Sequence, residues 1–466
     1  MDKRSRYLIK NTSVLTIGNF SSKVLVFLLV PLYTSVLSTK EYGSYDLVAT
    51  TVQMLIPILT LDVYEGAMRF VMDPERPRDQ VVSIGLKYVL IGIGLFSVIL
   101  GVNAIFGFWS FAAEYAVLIW LYFVFALLYQ FASLLARGFE QVKTVAIAGV
   151  VSTAMVVGSN ILLLLVFHLG IKGFFISYVI SYIVPDIYLY ARLKILRFIR
   201  RDTDKDLQRE MVKYSVPLIL NTLGWWANTS LDKYVVTAMC GIAMNGIFSV
   251  SYKIPSILNT LQGIFVQAWQ ISAIKETSSE DSAEFYGTVL NVVNVAMSFC
   301  CMMLIAFTIP IAKLLFAKEF FAAWQYAPFL LLSCVINVAG GVVGPVLSAK
   351  MDSRSMGVAA VYGAVSNLIM NVALIYLIGV QGAAIATAVS SFVIFQLRYK
   401  AVGREAISCD YKKIVFPWLI MVGQCLLLIY TKLYFMQAAL IALFCLIYRN
   451  DLKTMAERVL AFVRKR

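Results

Sequence analysis

The sequence is a succession of apolar runs of about 20 residues or more, parted by short polar breaks, and each run can cross a ~30 Å hydrocarbon layer as a helix. Few folds are open to such a chain. Inside lipid every backbone amide must be satisfied within the protein, so the runs become helices packed on helices. Composition agrees, with 60% of the 466 residues hydrophobic and only 14% charged, where a soluble domain carries roughly a quarter charged. We read an all-α polytopic membrane protein of about fourteen transmembrane helices. Their approximate spans are 11–37, 44–71, 83–108, 114–135, 144–167, 171–191, 214–239, 246–272, 285–309, 325–347, 356–378, 382–399, 414–430 and 434–448. The last two are short, which suits a tilted or re-entrant pair.

Met1–Lys10 is basic through Lys3, Arg4, Arg6 and Lys10. A cleaved signal peptide has an apolar core of about 7–15 residues and then small residues; the 11–37 run is longer and has no such site, so it reads as a retained first helix. An even number of spans puts both termini on one side. Of the 40 Lys and Arg residues, 32 fall in the loops on that side and five opposite it (Lys40, Lys172, Lys313, Lys318, Lys432), while Lys23, Lys233 and Lys253 lie within spans. That asymmetry places both termini in the cytoplasm. It also accounts for the net charge of +14 without a nucleic-acid partner.

Two cytoplasmic stretches look interfacial. Leu452, Met455, Ala456, Val459 and Val463 share one helical face, with Lys453, Arg458 and Arg464 away from it, as in an amphipathic helix on an anionic leaflet. Arg192–Arg201 interleaves five basic residues with Leu193, Ile195, Leu196, Phe198 and Ile199 and reads as a membrane-surface linker.

Nothing points to an enzyme, a cofactor or a metal. No loop exceeds about 25 residues, and the outer acids Glu114 and Glu319 have no obvious partner. The seven cysteines show neither metal spacing nor a disulfide framework, and His168 stands alone.

The chain repeats itself. Gly170–Ser177 (GIKGFFIS) reads against Gly379–Ala386 (GVQGAAIA) at an offset of 209. At that offset Asn19 meets Asn228 and Lys23 falls one residue from Lys233, so Asn19-x-Ser21-x-Lys23 echoes Asn228-x-Ser230-x-Asp232-Lys233. A six-helix period keeps both copies in one orientation, which implies two lobes related by a pseudo-two-fold axis along the membrane normal. The expected organisation is an N-terminal lobe over 1–200, a C-terminal lobe over 201–400, and two extra helices with an amphipathic tail over 401–466.

The opening Asn11-Thr12 … Gly18-Asn19 … Lys23 … Pro31-Leu32-Tyr33-Thr34 … Leu37-Ser38 … Glu41-Tyr42-Gly43 … Tyr45-Asp46, with Gly66-Ala67-Met68-Arg69-Phe70, resembles the polysaccharide-transport branch of the multidrug/oligosaccharidyl-lipid/polysaccharide exporter superfamily. The resemblance implies an O-antigen-type flippase in the bacterial plasma membrane, serving O-antigen or exopolysaccharide biosynthesis. Its substrate would be undecaprenyl-pyrophosphate-linked oligosaccharide repeat units, moved from the cytoplasmic to the outer leaflet by alternating access around a cationic central cavity. Membrane lipids, a glycan polymerase and chain-length machinery are the implied partners of a monomer. The Asp62 and Glu65 pair has no place in that family pattern.

Such a substrate needs cations for its phosphates and hydrogen-bonding or aromatic groups for its sugars. Polar stripes at helical spacing supply them: Thr12, Thr16, Asn19 and Lys23; Asp46, Thr50, Gln53, Thr60 and Tyr64, with a kink at Pro57; Asn221, Trp225, Asn228 and Asp232; and Ser249, Lys253, Ser256, Thr260, Gly263, Gln267 and Gln270. Helix–helix glue is the alternative for the uncharged members. Lys23 lies ~20 Å from either end of its helix, too far to snorkel, so it needs a cavity or a buried partner such as Asp232. The candidate substrate-binding residues are Lys23, Asn19, Arg69, Asn228, Lys233 and Lys253. Asp232, Asp62 and Glu65 are candidates for ion coupling or charge balance, with a local Asp62–Glu65–Arg69 salt bridge as the plainer account of the second pair. The competing function is a cation-coupled exporter of drugs or other small molecules of the same superfamily, which calls for membrane-embedded acids rather than cations.

Overall fold

The computed structural model describes residue 25 and residues 27–200, 202–276, 281–350, 352–403, 405–431 and 433–464. Among them every regular element is helical. Nine helices are long and apolar enough to cross a membrane, or up to eleven if each of two bent pairs forms one span. Contacts divide the chain into two units, 1–227 and 228–466, and the division falls inside one helix, Lys205–Cys240.

The first unit opens with α1 (Val30–Val36), α2 (Thr39–Leu59) and α3 (Val63–Val71). A capping box starts α2: Ser38 Oγ accepts from the Glu41 amide at 3.2 Å, and Glu41 Oε2 accepts from the Ser38 amide at 2.8 Å. The expected second span, 44–71, is not one kinked helix. It breaks at Thr60–Asp62 with a 61° bend, three residues beyond Pro57, because Leu61 and Asp62 both take left-handed backbone (φ 51° and 54°). Next come α4 (Arg78–Phe106), α5 (Ser110–Glu114), α6 (Ala116–Gly138), α7 (Val142–Asn160, ending in a π-helical Ile161–Val166), α8 (Gly170–Leu193) and the first part of α9 (Lys205–Cys240). Leu90, Val98 and Ile105 are among the exposed apolar residues of α4, whose membrane-length window is only 17% buried. Lipid is the surrounding that makes such a face stable.

The 192–201 linker contains a single 3-10 turn, Ile195–Phe198, with Leu196 and Ile199 exposed and Ile195 buried. It is strapped to the start of α4. Ser83 Oγ donates to the Phe198 carbonyl and accepts from the Arg200 amide, both at 2.8 Å, while Arg200 Nε pairs with Asp79 Oδ2 at 2.9 Å.

The second unit holds the rest of α9, α10 (Ile242–Ser251), α11 (Lys253–Glu276), α12 (Ser282–Ala306), α13 (Thr308–Leu315), a 3-10 turn at Lys318–Gln325, α14 (Ala327–Ala349), α15 (Ser353–Ile378), α16 (Gln381–Val402), α17 (Tyr411–Thr431), α18 (Tyr434–Ile447) and α19 (Arg449–Arg464). Its core is α14, 89% buried over a membrane-length window and packed on α11, α12, α16 and α17. The expected 246–272 span is split at Tyr252, three residues before Pro255, whose missing amide hydrogen suits the first turn of a new helix. Side-chain hydrogen bonds dock the closing helices on α12: Trp418 Nε1 donates to Asn294 Oδ1 and Gln424 Nε2 to the Met302 carbonyl, each at 2.9 Å. The 14-residue α18 bends by 77° into α19, and α19 covers the stretch expected as an amphipathic tail helix.

Candidate functional site

Lys23 and Asn19, with Thr12 and Thr16, lie outside the described residues. The remaining candidates fall into one cluster in each unit.

In the first unit the cluster is the helix break. Asp62 is 1% exposed; its Oδ2 accepts from Thr222 Oγ1 at 3.3 Å, and its Oδ1 has no hydrogen-bond partner among the described residues. Glu65 is half-buried, and the charges that act on it are those of Asp62 and Arg137. Arg69 is exposed and pairs with neither acid, so the expected Asp62–Glu65–Arg69 bridge does not form. Gly66 lets α3 close on α9, since a Cβ there would lie 2.1 Å from the Ser215 hydroxyl. The hydroxyls expected to line a cavity turn back on their own helix: Thr50 Oγ1 donates to the Asp46 carbonyl at 2.6 Å and Thr60 Oγ1 to that of Ile56 at 2.7 Å.

In the second unit Asp232 is 4% exposed, and its two oxygens accept from the Lys233 amide at 2.9 Å and from the Tyr252 hydroxyl. Two donors on a carboxylate stabilise its charge. On α15 and α16 a polar chain runs from the Thr387 carbonyl through Ser390 and Asn367 to Asn371. Asn228, one turn before Asp232, points its Oδ1 at Gly363 of α15. Lys253 opens α11 and makes no ion pair among the described residues. Beyond it, Ser256 and Thr260 bond back to the carbonyls of Lys253 and Ser256. Gln270 is exposed, and the side chains of Asn221, Trp225 and Gln267 are outside the description. Among the described residues no three His, Cys, Asp or Glu side chains group closely enough to hold a metal ion.

Residues 8–270 match the family model described as polysaccharide biosynthesis protein. The chain belongs to that family. The lipid II flippase MurJ, in an inward closed conformation, superposes with a TM-score of 0.68 at 14% identity, over 94% of this chain and 99% of the other. A multidrug resistance MATE family transporter of the MOP superfamily, inward-facing, gives 0.65 at 13% identity over 86% and 95%. A MOP superfamily transporter from Pyrococcus furiosus, whose binding pocket is described as reversed in polarity, gives 0.59 at 14% over 85% and 95%. No curated protein matches the sequence. At these identities the likeness concerns the fold: this polysaccharide biosynthesis protein is a multi-pass membrane protein with the architecture of those transporters.

Two features of this family member escaped the sequence reading. Arg398 of α16 donates through Nη1 to the Gly340 carbonyl at 3.3 Å, with its Nε buried and unpartnered. The other is a file of phenols on α2, α6 and α8. Tyr45 and Tyr178 have ring centroids 5.1 Å apart, Tyr122 and Tyr182 5.9 Å, and Tyr182 and Tyr129 5.5 Å. Tyr45 and Tyr122 stand edge-on with ring centroids 6.4 Å apart, which joins the two ends of the file. On α8 the file reads Phe174, Tyr178, Tyr182, Asp186 and Tyr190, one residue in four. That spacing is visible in the sequence, but an aromatic stripe is more often simple packing.

Proposed function

We propose that the protein is a flippase for undecaprenyl-pyrophosphate-linked oligosaccharide repeat units, carrying them from the cytoplasmic to the outer leaflet of a bacterial plasma membrane by alternating access of two six-helix repeats. It works as a monomer with cytoplasmic termini, beside a glycan polymerase and chain-length machinery. The family membership supports this reading, as does the likeness to a structure described as a lipid II flippase, itself a carrier of a lipid-linked substrate. The observation that carries it is the pair of cations Arg69 and Lys253, neither paired with a carboxylate among the described residues. A side chain with no structural charge partner is available to a phosphate. In this reading Lys23, Asn19, Asn228 and Lys233 complete the substrate contacts, Asp232 balances lysine charge, and the lobes are 1–200 and 201–400, with 401–466 as an addition.

The test is reconstitution in liposomes with a fluorescent lipid-linked oligosaccharide and a membrane-impermeant quencher. Wild type should expose the outer-leaflet label, and Lys253→Ala should slow it at least about ten-fold, the loss of one charge-assisted contact. No flipping by wild type of any lipid-linked glycan would reject the reading. The buried acids Asp62, Asp186 and Asp232 favour the second reading, cation-coupled export of drugs or other small molecules, and gradient-driven ethidium export by the same liposomes would establish it.

A further inference from the structure

The acid on the phenol file has no role in the flippase reading. Asp186 is 5% exposed, and neither of its carboxylate oxygens has a protein partner among the described residues. Tyr182 and Tyr190 of its own helix and Tyr129 of α6 are close enough to feel its charge. The hydroxyl of Tyr190 is likewise buried without a partner. Of the helices packed on α8, α6 also brings Arg137, whose charge acts on Tyr129 and Glu65, and α7 brings Lys143; both are exposed and neither pairs with Asp186. The 3-10 turn adds Arg197, exposed too, and α2 adds Tyr45, which reaches the acid only through the file. Asp186 stands seven residues, or ~10 Å, inside the Leu193 end of its helix. One residue earlier Pro185 leaves the Ser181 carbonyl without its helical donor, a further acceptor near the carboxyl.

A buried carboxylate with no cation and no donor is unstable as an anion, and taking up a proton is its ordinary relief. We infer that Asp186 is a proton-binding site of the N-terminal unit, on the helix that carries the packed phenols of Tyr178 and Tyr182. On binding, an O–H bond forms at one Asp186 oxygen; on release it breaks. No electron moves. This site is distinct from the cations assigned to the substrate, and it gives transport a proton to couple to. Only that coupling rests on the transporter reading.

Infrared difference titration of the purified full chain in lipid nanodiscs, from mildly acidic to mildly alkaline pH, tests it without any glycolipid. Wild type should show a protonated carboxyl band that disappears as pH rises. Asp186→Asn should lack that band, Asp186→Glu should restore it, and Tyr182→Phe should move its midpoint by about one pH unit, the scale on which a lost polar neighbour acts. If wild type shows no such band, or Asp186→Asn retains it, Asp186 is a permanently ionised group held by a cation and the inference fails. The glutamate and phenylalanine variants keep the test open should the asparagine variant not fold. Absence of glycolipid flipping alongside a normal titration would reject the flippase reading alone.

Discussion

At Gly382 an added Cβ would sit 2.3 Å from the Leu374 carbonyl carbon, a backbone atom that cannot swing aside. Gly382→Ala should therefore part α15 from α16 and cost about 1–3 kcal/mol, the usual range for overpacking. Gly357 in α15 meets nothing within 4 Å, so Gly357→Ala should gain roughly 0.5–1 kcal/mol from helix propensity. Thermal unfolding of the two variants in one detergent measures both signs. Leu61 offers a third case. It holds a left-handed φ of 51° and is 38% exposed, so it is strained and packs only in part. Leu61→Gly should stabilise the protein by about 0.5–1 kcal/mol, because relief of the left-handed penalty outweighs the entropy of glycine. A fall in the melting temperature would mean that the Leu61 side chain is held by contacts stronger than its exposure implies.

The N-terminus of α15 carries a pH-sensitive cap. Asp352 Oδ1 accepts from the Ser355 amide at 3.0 Å, and the Ser355 side chain and amide together hold that carboxyl below its ordinary value of 3.8. A lowered carboxyl stabilises the fold fully above its ordinary value and loses that contribution as pH falls through the lowered one. Protection of the Ser355 amide against hydrogen exchange should therefore fall in acid, and Asp352→Asn should keep the cap while removing that dependence. At this scale the sequence was legible wherever composition alone decides. The membrane class and most spans follow from apolar runs, whereas the Ser38–Glu41 capping box starts α2 at Thr39, five residues before the expected span at 44. Gly170 and Gly379, matched at the offset of 209, both take positive φ (52° and 67°), the first opening α8 and the second two residues before α16. The break at Leu61–Asp62 was not legible, because neither residue is a glycine or asparagine that would announce left-handed backbone. Asp186 was hidden for another reason. Its stripe is plain in the spacing, but burial and the want of a partner exist only once α6 and α2 are folded against α8.

For the proposed flippase, Lys23 is the residue whose substitution tests the substrate path most directly. Lys23→Ala should abolish glycan export while the protein remains inserted and abundant, and normal surface glycan in that variant would remove the lysine from the substrate path. Lys23→Arg should be tolerated better than Lys23→Gln, since attraction to a phosphate needs charge before geometry; equal export by the two would make hydrogen bonding the operative property. A different consequence follows from the lipid-facing α4. Its 29 residues make a rod of about 43 Å against a hydrocarbon layer of ~30 Å. One end is tied to the 192–201 linker by the Asp79–Arg200 pair, and the other carries Ile105 and Phe106, both largely exposed, with Phe108 just beyond. The excess length must be taken up by leaning or by standing proud, and each option costs a different amount in thin and thick bilayers. In bilayers of different thickness that helix is expected to lean by different amounts, which spin labels placed at its two ends would measure.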